Sequence, residues 1–297
     1  MSQPPEKAVP RPAASVVMIR DGAQGIEVFM IERHQGAGLA FSGALVFPGG
    51  KVDDEDRATG WVDLKRPATD GPDLAFWIAA VRETFEESGI LLARRPLSSA
   101  LIGGDDASRI VAKARATPAA SGTADQSPLV RADFAALLQG EQLVPAVESL
   151  IHFGHWITPP WAPRRFDTHF FLVDAPKTQR VLLDADESAA GMWMRPADVL
   201  VEADAGKRSL VAVTRFTLEL LDTWSSVDEA MTTARGRRVV TVLPERVETA
   251  SGLVLRIPKE AGYVRSEMAV VPGGVSASSG SRSSAIQDTG SASPDKP

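Results

Sequence analysis

Arg82-Glu83-Thr84-Phe85-Glu86-Glu87-Ser88-Gly89-Ile90 is the stretch on which the interpretation of this 297-residue chain turns. Helical periodicity runs through it, from Asp73, a side chain suited to an N-cap, to Gly89, which tolerates the left-handed backbone that stops a helix. At about 100° per residue, Glu83, Glu86 and Glu87 fall within about 100° of one another on one face, while Trp77, Val81 and Phe85 fall on the opposite face. Three carboxylates therefore crowd above a stripe expected to be buried. Like charges at that density cost free energy unless a cation neutralises them, and hard oxygen donors suit Mg2+ or Mn2+ better than a softer metal. A solvated acidic face is the plain alternative for a pair of helical glutamates. Upstream, an extended piece runs into Pro48-Gly49-Gly50, within Phe47-Pro48-Gly49-Gly50-Lys51-Val52-Asp53.

Working outward, Ser15 to Glu32 alternates apolar and small residues around a turn at Asp21 and Gly22, the pattern of a β-hairpin, and Gly43 to Phe47 is a second extended piece. From Ala107 to His152 the pattern is mostly helical, interrupted at Thr117 to Ser127 by small polar residues. Phe166 to Val173 and Gly191 to Trp193 read as strands, Ser209 to Trp224 as a long amphipathic helix, and Val227 to Arg235 as a shorter one. Val239 to Leu243 and Leu253 to Ile257 suggest a closing hairpin. After Gly273 only Ser, Gly, Ala and Asp dominate, with little to bury.

Hydrophobic residues make up 44% of the chain and charged ones 24%, ordinary globular material long enough for one large domain or two small ones with a proper core. Cysteine is absent, which excludes disulfides, thiolate nucleophiles and cysteine metal sites. A net charge of −6 argues against a nucleic-acid polymer as partner. Met1 to Ala14 carries four prolines and lacks the apolar run of a secretory signal, and no later stretch reaches the roughly 20 apolar residues of a membrane span. The expectation is a cytoplasmic protein with no membrane segment.

The stretch Arg82 to Ile90, preceded by the glycine-rich turn, resembles the Nudix box, and the chain is identified on it as a member of the Nudix hydrolase superfamily. The pattern asks for an acid after the glycine; Glu55 and Asp56 both satisfy it, either being able to pair with Arg82. Between that acid and Arg82 the chain is about 18 residues longer than the family pattern, so the box is split. Such an insertion is tolerable as a surface loop with neighbouring ends, because closure entropy grows slowly with length. The split box, Phe41-Ser42-Gly43-Ala44-Leu45-Val46-Phe47-Pro48-Gly49-Gly50 and Pro163-Arg164-Arg165-Phe166-Asp167-Thr168 resemble the branch that includes peroxisomal coenzyme A diphosphatases. Gln35 and Leu39 stand where the bacterial coenzyme A signature carries arginines.

What the resemblance implies is an α/β fold, the Nudix-type α/β/α sandwich with a mixed sheet, here with a helical insertion. A disordered segment at 1–14 would precede a domain spanning 15–272, with insertions at about 57–72 and 104–152, and a disordered tail at 273–297 would follow. It further implies metal-dependent hydrolysis of a diphosphate bond in a small nucleoside diphosphate-linked molecule, with coenzyme A or acyl-coenzyme A, ADP-ribose and NADH as candidates. A non-catalytic ligand-binding module of the same fold is the rival, although such relatives usually lose box glutamates. Glu83, Glu86 and Glu87 would hold Mg2+ or Mn2+, Arg82 would orient a box carboxylate, Gly49 and Gly50 would shape the turn, and Glu187 would be a reserve general base. Arg164 and Arg165 are candidates for a substrate phosphate, against the plain alternative of surface solubilisers. His34, His152, His155 and His169 lack the paired spacing of a zinc site and receive no role. A homodimer is compatible with all of this.

Overall fold

The structure is a computed structural model that describes residues 8–33, 43–57, 61, 64, 71–116, 129, 133–182 and 190–270. Strands β1 (Arg11–Gly22) and β2 (Gly25–Glu32) form the expected hairpin, with Gly22 paired to Gly25 across the turn. Val16, Val17, Met18 and Ile19 are all fully buried, because β1 lies in mid-sheet with both faces covered. β1 begins at Arg11, so part of the N-terminal segment expected to lack structure is ordered. The reason is a parallel ladder to β8 (Phe166–Asp174) that starts at Arg11 opposite Phe166 and buries Ala13 and Ala14.

Among the described residues the main sheet has nine strands. Beyond β2 come β3 (Ala44–Val46) and β10 (Ser209–Leu210); beyond β8 come β7 (Ile151–Ile157) and β11 (Thr241–Val242). Two further strands attach to this path, β4 (Gly49–Lys51) on β1 and β9 (Ala190–Met194) on β2, both antiparallel. One face is covered by α1 (Leu74–Ser88), α2 (Gly104–Arg115) and α3 (Phe134–Gly140), which share a core with Val16, Phe29 and Phe171. The other is covered by α4 (Pro196–Asp204), α5 (Ala212–Leu221) and α6 (Val227–Gly236), packed on Val17, Ile19 and Leu172. The result is the α/β/α sandwich with a mixed sheet. No helix among the described residues is long and apolar enough to cross a membrane.

Several boundaries differ from the periodicity. The helical run expected to reach His152 stops at Gly140; Val144-Pro145 then pairs with Ala93-Arg94, and Ile151 to Ile157 is a strand whose residues alternate between sheet faces apart from one bulge. The helix expected from Ser209 starts at Ala212, since Ser209 and Leu210 pair with Ala44 and Leu45. The expected closing hairpin does not form: Thr241-Val242 joins the main sheet, while β13 (Gly252–Arg256) pairs with β12 (Glu245–Thr249) and β14 (Glu267–Ala269) in a separate three-stranded sheet. Of the insertion at about 57–72, Arg57, Trp61, Leu64, Gly71 and Pro72 are described; the tail from 273 lies outside the described residues.

Candidate active site

α1 forms where periodicity placed it. Asp73 precedes it without a side-chain cap, and Gly89 ends it at φ 70°, donating to the Phe85 carbonyl. Trp77, Val81 and Phe85 are at most 1% exposed, as the buried stripe requires. The glycine turn is anchored by Pro48, whose carbonyl accepts from the Val16 N–H at 2.8 Å and the Ser15 hydroxyl at 2.9 Å. β4 then pairs with β1, Gly49 opposite Ser15 and Gly50 opposite Ala14. Both glycines are sterically required, for different reasons. A Cβ on Gly49, where φ is 153°, would lie 2.3 Å from the Ala14 carbonyl oxygen; one on Gly50 would lie 2.4 Å from the Glu83 carboxyl group. The turn thereby lies directly against α1, and the Gly49 N–H donates to Glu87 Oε2 at 2.7 Å.

Arg82 is the hub of the site. Its Nε and Nη2 grip Asp56 Oδ1 and Oδ2 at 2.9 and 2.8 Å, so Asp56 rather than Glu55 is the acid that pairs with it. Nη1 reaches Glu83 Oε1 and Glu86 Oε2, both at 2.9 Å, and Nη2 also donates to the Lys51 carbonyl at 2.9 Å. Asp56 is only 2% exposed and also accepts from the Asp53 N–H. A planar five-donor group suits this task, since it crosslinks the turn, the Asp56 segment and α1 at once. Burial opposes charge on Arg82, yet the Asp56 hydrogen bonds and the Glu83 and Glu86 charges hold its pKa above the ordinary value. Burial pushes the Glu83 carboxyl up against the pull of Arg82, with Asp56 and Asp53 adding to the rise. Asp53, Asp56, Glu83 and Glu86 thus surround one guanidinium, and Glu87 adds a further carboxylate against the glycine turn, a deficit of positive charge that a divalent cation fits; the donors are carboxylate oxygens, matched to a hard ion.

A cavity of about 650 Å³ opens beside this cluster. Gly49, Gly50, Asp53, Glu83 and Glu87 line its acidic end, and Trp156, Phe166, Phe170, Leu255 and Met268 line an apolar wall. Arg33, Lys51 and Arg246 supply its cations, Arg246 lying 4.7 Å over the Trp161 ring. Arg164 and Arg165 do not line it. Arg164 is exposed, and Arg165 donates to the carbonyls of Thr158 and Ala8, both at 2.9 Å, tying down the N-terminal entry to β1. Glu187 lies outside the described residues, as do His34, Gln35 and Leu39.

Three histidines given no role by spacing converge on the sheet. His155 and His169 are cross-strand partners with rings stacked at 4.0 Å, and His169 Nδ1 meets His152 Nε2 at 2.9 Å. His155 Nε2 approaches Asp167 Oδ1 at 2.5 Å and its Nδ1 the Thr241 hydroxyl at 2.8 Å. Burial, reinforced by the His155 charge, lowers the pKa of His152 to about 4 and that of His169 to about 3. The sequence signal was the Asp167-x-His169 period of two; what hid the rest was the bulge between His152 and Gly154, which brings His152 and His155 to one face despite their odd spacing.

The chain belongs to the Nudix hydrolase superfamily, enzymes that generally use divalent metal ions. Its fold is similar to the crystal structure of a Nudix hydrolase from Alicyclobacillus acidocaldarius, with a TM-score of 0.60 and 28% identity, covering 76% of this chain and 97% of that one. Within the superfamily the match is to the NUDT19 Nudix domain, over residues 68–211. The acyl-coenzyme A diphosphatase NUDT19 of Homo sapiens is 27% identical over 286 residues, covering 82% of this chain and 73% of the human protein. The protein of the same name from Gallus gallus is 28% identical over 281 residues, covering 80% of this chain and 72% of its own length.

Proposed function

We propose that this enzyme hydrolyses the diphosphate bond of coenzyme A or an acyl derivative, giving 4′-phosphopantetheine or its acyl form and 3′,5′-ADP, with Glu83, Glu86 and Glu87 holding Mg2+ or Mn2+. The observation that carries the substrate is the cavity: its acidic end meets the glycine turn, its wall is apolar, and Arg33, Lys51 and Arg246 line the same space. A diphosphate with an extended, partly apolar arm matches that sequence of surfaces. The names of the human and chicken relatives agree with it.

Each residue's part follows from its contacts. Bound divalent ions supply positive charge to the phosphate oxygens and lower the pKa of water. Arg82 fixes one oxygen each of Glu83 and Glu86, and the Gly49 N–H fixes one of Glu87, so the three carboxylates are held in place before substrate arrives. Arg33, Lys51 and Arg246 pair with substrate phosphates, and Gly50 keeps the space that the Glu83 carboxylate occupies. Glu187 is the proposed base, and the cytoplasm the proposed location.

The test is a panel of coenzyme A, a long-chain acyl-coenzyme A, ADP-ribose and NADH with Mg2+ and with Mn2+, comparing kcat/KM. Coenzyme A or its acyl form is expected to lead. Turnover of ADP-ribose or NADH at least tenfold more efficient, about 1.4 kcal/mol in transition-state binding, overturns the substrate assignment while leaving the hydrolase intact. Glu87→Gln is expected to remove most activity at saturating metal; near wild-type turnover would remove the proposed metal ligands.

A further inference from the structure

We propose that His155, Asp167 and His169 form a second metal site, separate from the box glutamates, that takes a borderline divalent ion of the Zn2+ class. Antiparallel pairing of β7 with β8 sets His155 directly opposite His169, and Asp167 lies two residues before His169 on the same face. One ligand atom from each of the three lies within 4.8 Å of the others. A tetrahedral ion with bonds of roughly 2.0–2.2 Å needs these atoms drawn together by about 1 Å and the stacked His155 and His169 rings, 7° apart in plane, turned out of the stack so that both in-plane lone pairs meet the ion, a rotation about side-chain bonds. Two imidazoles and one carboxylate suit zinc-like ions and leave a fourth position for water, whereas Mg2+ prefers oxygen alone.

The outer contacts are those that metal-binding histidines require. His169 Nδ1 is engaged by His152 Nε2 at 2.9 Å, which leaves Nε2 as its ligand atom; His155 Nδ1 faces the Thr241 hydroxyl at 2.8 Å. The 2.5 Å contact between His155 Nε2 and Asp167 Oδ1 holds one proton between two ligand atoms. An entering ion displaces it, and the imidazole proton then sits on Nδ1, where the Thr241 oxygen accepts it. With side chains 17% and 35% exposed, His155 and Asp167 leave a path from solvent. The site contacts the first turn of α1, where Phe76 sits edge-on to His169 at 4.5 Å. Glu83 lies seven residues further along that helix, roughly 10 Å away at 1.5 Å per residue. A bound ion would clip β7 to β8 beneath α1 without sharing a ligand with the box.

The experiment titrates Zn2+ into metal-free full-length Glu86→Gln/Glu87→Gln protein, so that the box no longer competes, and follows binding by calorimetry and melting temperature. One equivalent is expected to bind and raise the melting temperature. Adding His155→Gln and Asp167→Asn is expected to weaken binding at least 100-fold, and adding His152→Gln to weaken it 10- to 100-fold. Unchanged affinity in the His155→Gln/Asp167→Asn protein overturns the site, as does the lack of any zinc binding. Because those substitutions also remove native hydrogen bonds, the Glu86→Gln/Glu87→Gln protein with its histidines intact provides a second measurement. Co2+ should shift the ring-proton NMR resonances of two histidines, and no such shift overturns the proposal.

Discussion

Replacing Gly50 by alanine adds one methyl group in a place already taken. Its Cβ would sit 2.4 Å from the carboxyl carbon and both oxygens of Glu83, whereas ordinary contact begins near 3.4 Å, so the carboxylate must retreat by about 1 Å. The group that yields is the end of a side chain, so the backbone stays, and overpacking costs about 1–3 kcal/mol. Misplacing a group at the reacting centre by about 1 Å costs on the order of 10²-fold in rate, or about 2.7 kcal/mol. Gly49→Ala is the control. Its Cβ meets the Ala14 carbonyl at 2.3 Å, in a backbone conformation that side chains rarely adopt, and the carbonyl belongs to the central strand. Strain of about 1–3 kcal/mol adds to overpacking of similar size, which at roughly 2–4 °C per kcal/mol lowers the melting temperature by about 5–20 °C. Metal-titrated hydrolysis and thermal melts on both variants separate the effects: Gly50→Ala loses turnover with the smaller loss of stability, Gly49→Ala loses stability first. Gly50→Ala turnover within threefold of wild type, or a Gly50→Ala melt below that of Gly49→Ala, would refute the reasoning.

Arg82→Met strands Asp56 and Glu86 in a buried site without their cation, at a cost of about 3–5 kcal/mol, and a urea midpoint unchanged from wild type would contradict the hub role. Stability should also depend on pH through His152 and His169, whose folded pKa values of about 4 and about 3 lie below the usual 6.5. The unfolded chain then takes up protons first, so stability is full above about pH 6.5 and falls as pH drops towards the folded values, by up to about 2 kcal/mol per histidine at pH 5. Chelator-treated protein carrying His152→Phe should lose part of that slope in melts from pH 7 to 5; an identical slope would refute the assignment.

Much of the candidate site's geometry was legible because its residues are local. Glu83, Glu86, Glu87 and Arg82 lie on one helix, whose period is visible in the sequence, and Gly49 and Gly50 form one turn. The choice between Glu55 and Asp56 was not legible, since both neighbours satisfy the spacing and only the short helical turn at Glu55–Arg57 decides which side chain points inward. Arg246 and Met268 could not be assigned to the cavity, because a separate small sheet brings them there from the far end of the chain. The histidines were hidden by a bulge and by pairing between two strands, and Ile151 to Ile157 itself was missed because a strand partly covered on both faces shows no clean alternation. The helix from Pro196 was overlooked although its first-turn proline is a usual starting signal.

The ladder between β1 and β8 joins Arg11 to Phe166, so one strand waits for a partner made about 150 residues later. As the chain emerges from a ribosome at roughly 5–20 residues per second, the central strand stays without its parallel neighbour for about 8–30 seconds. The box itself, with its turn pinned on β1, is complete by Gly89, whereas the cavity wall at Leu255 and Met268 follows more than 160 residues later. The order of synthesis therefore places the proposed cation-binding end before the wall proposed to discriminate among substrates, and shortening the chain from its carboxyl end should blunt selectivity before it abolishes cleavage.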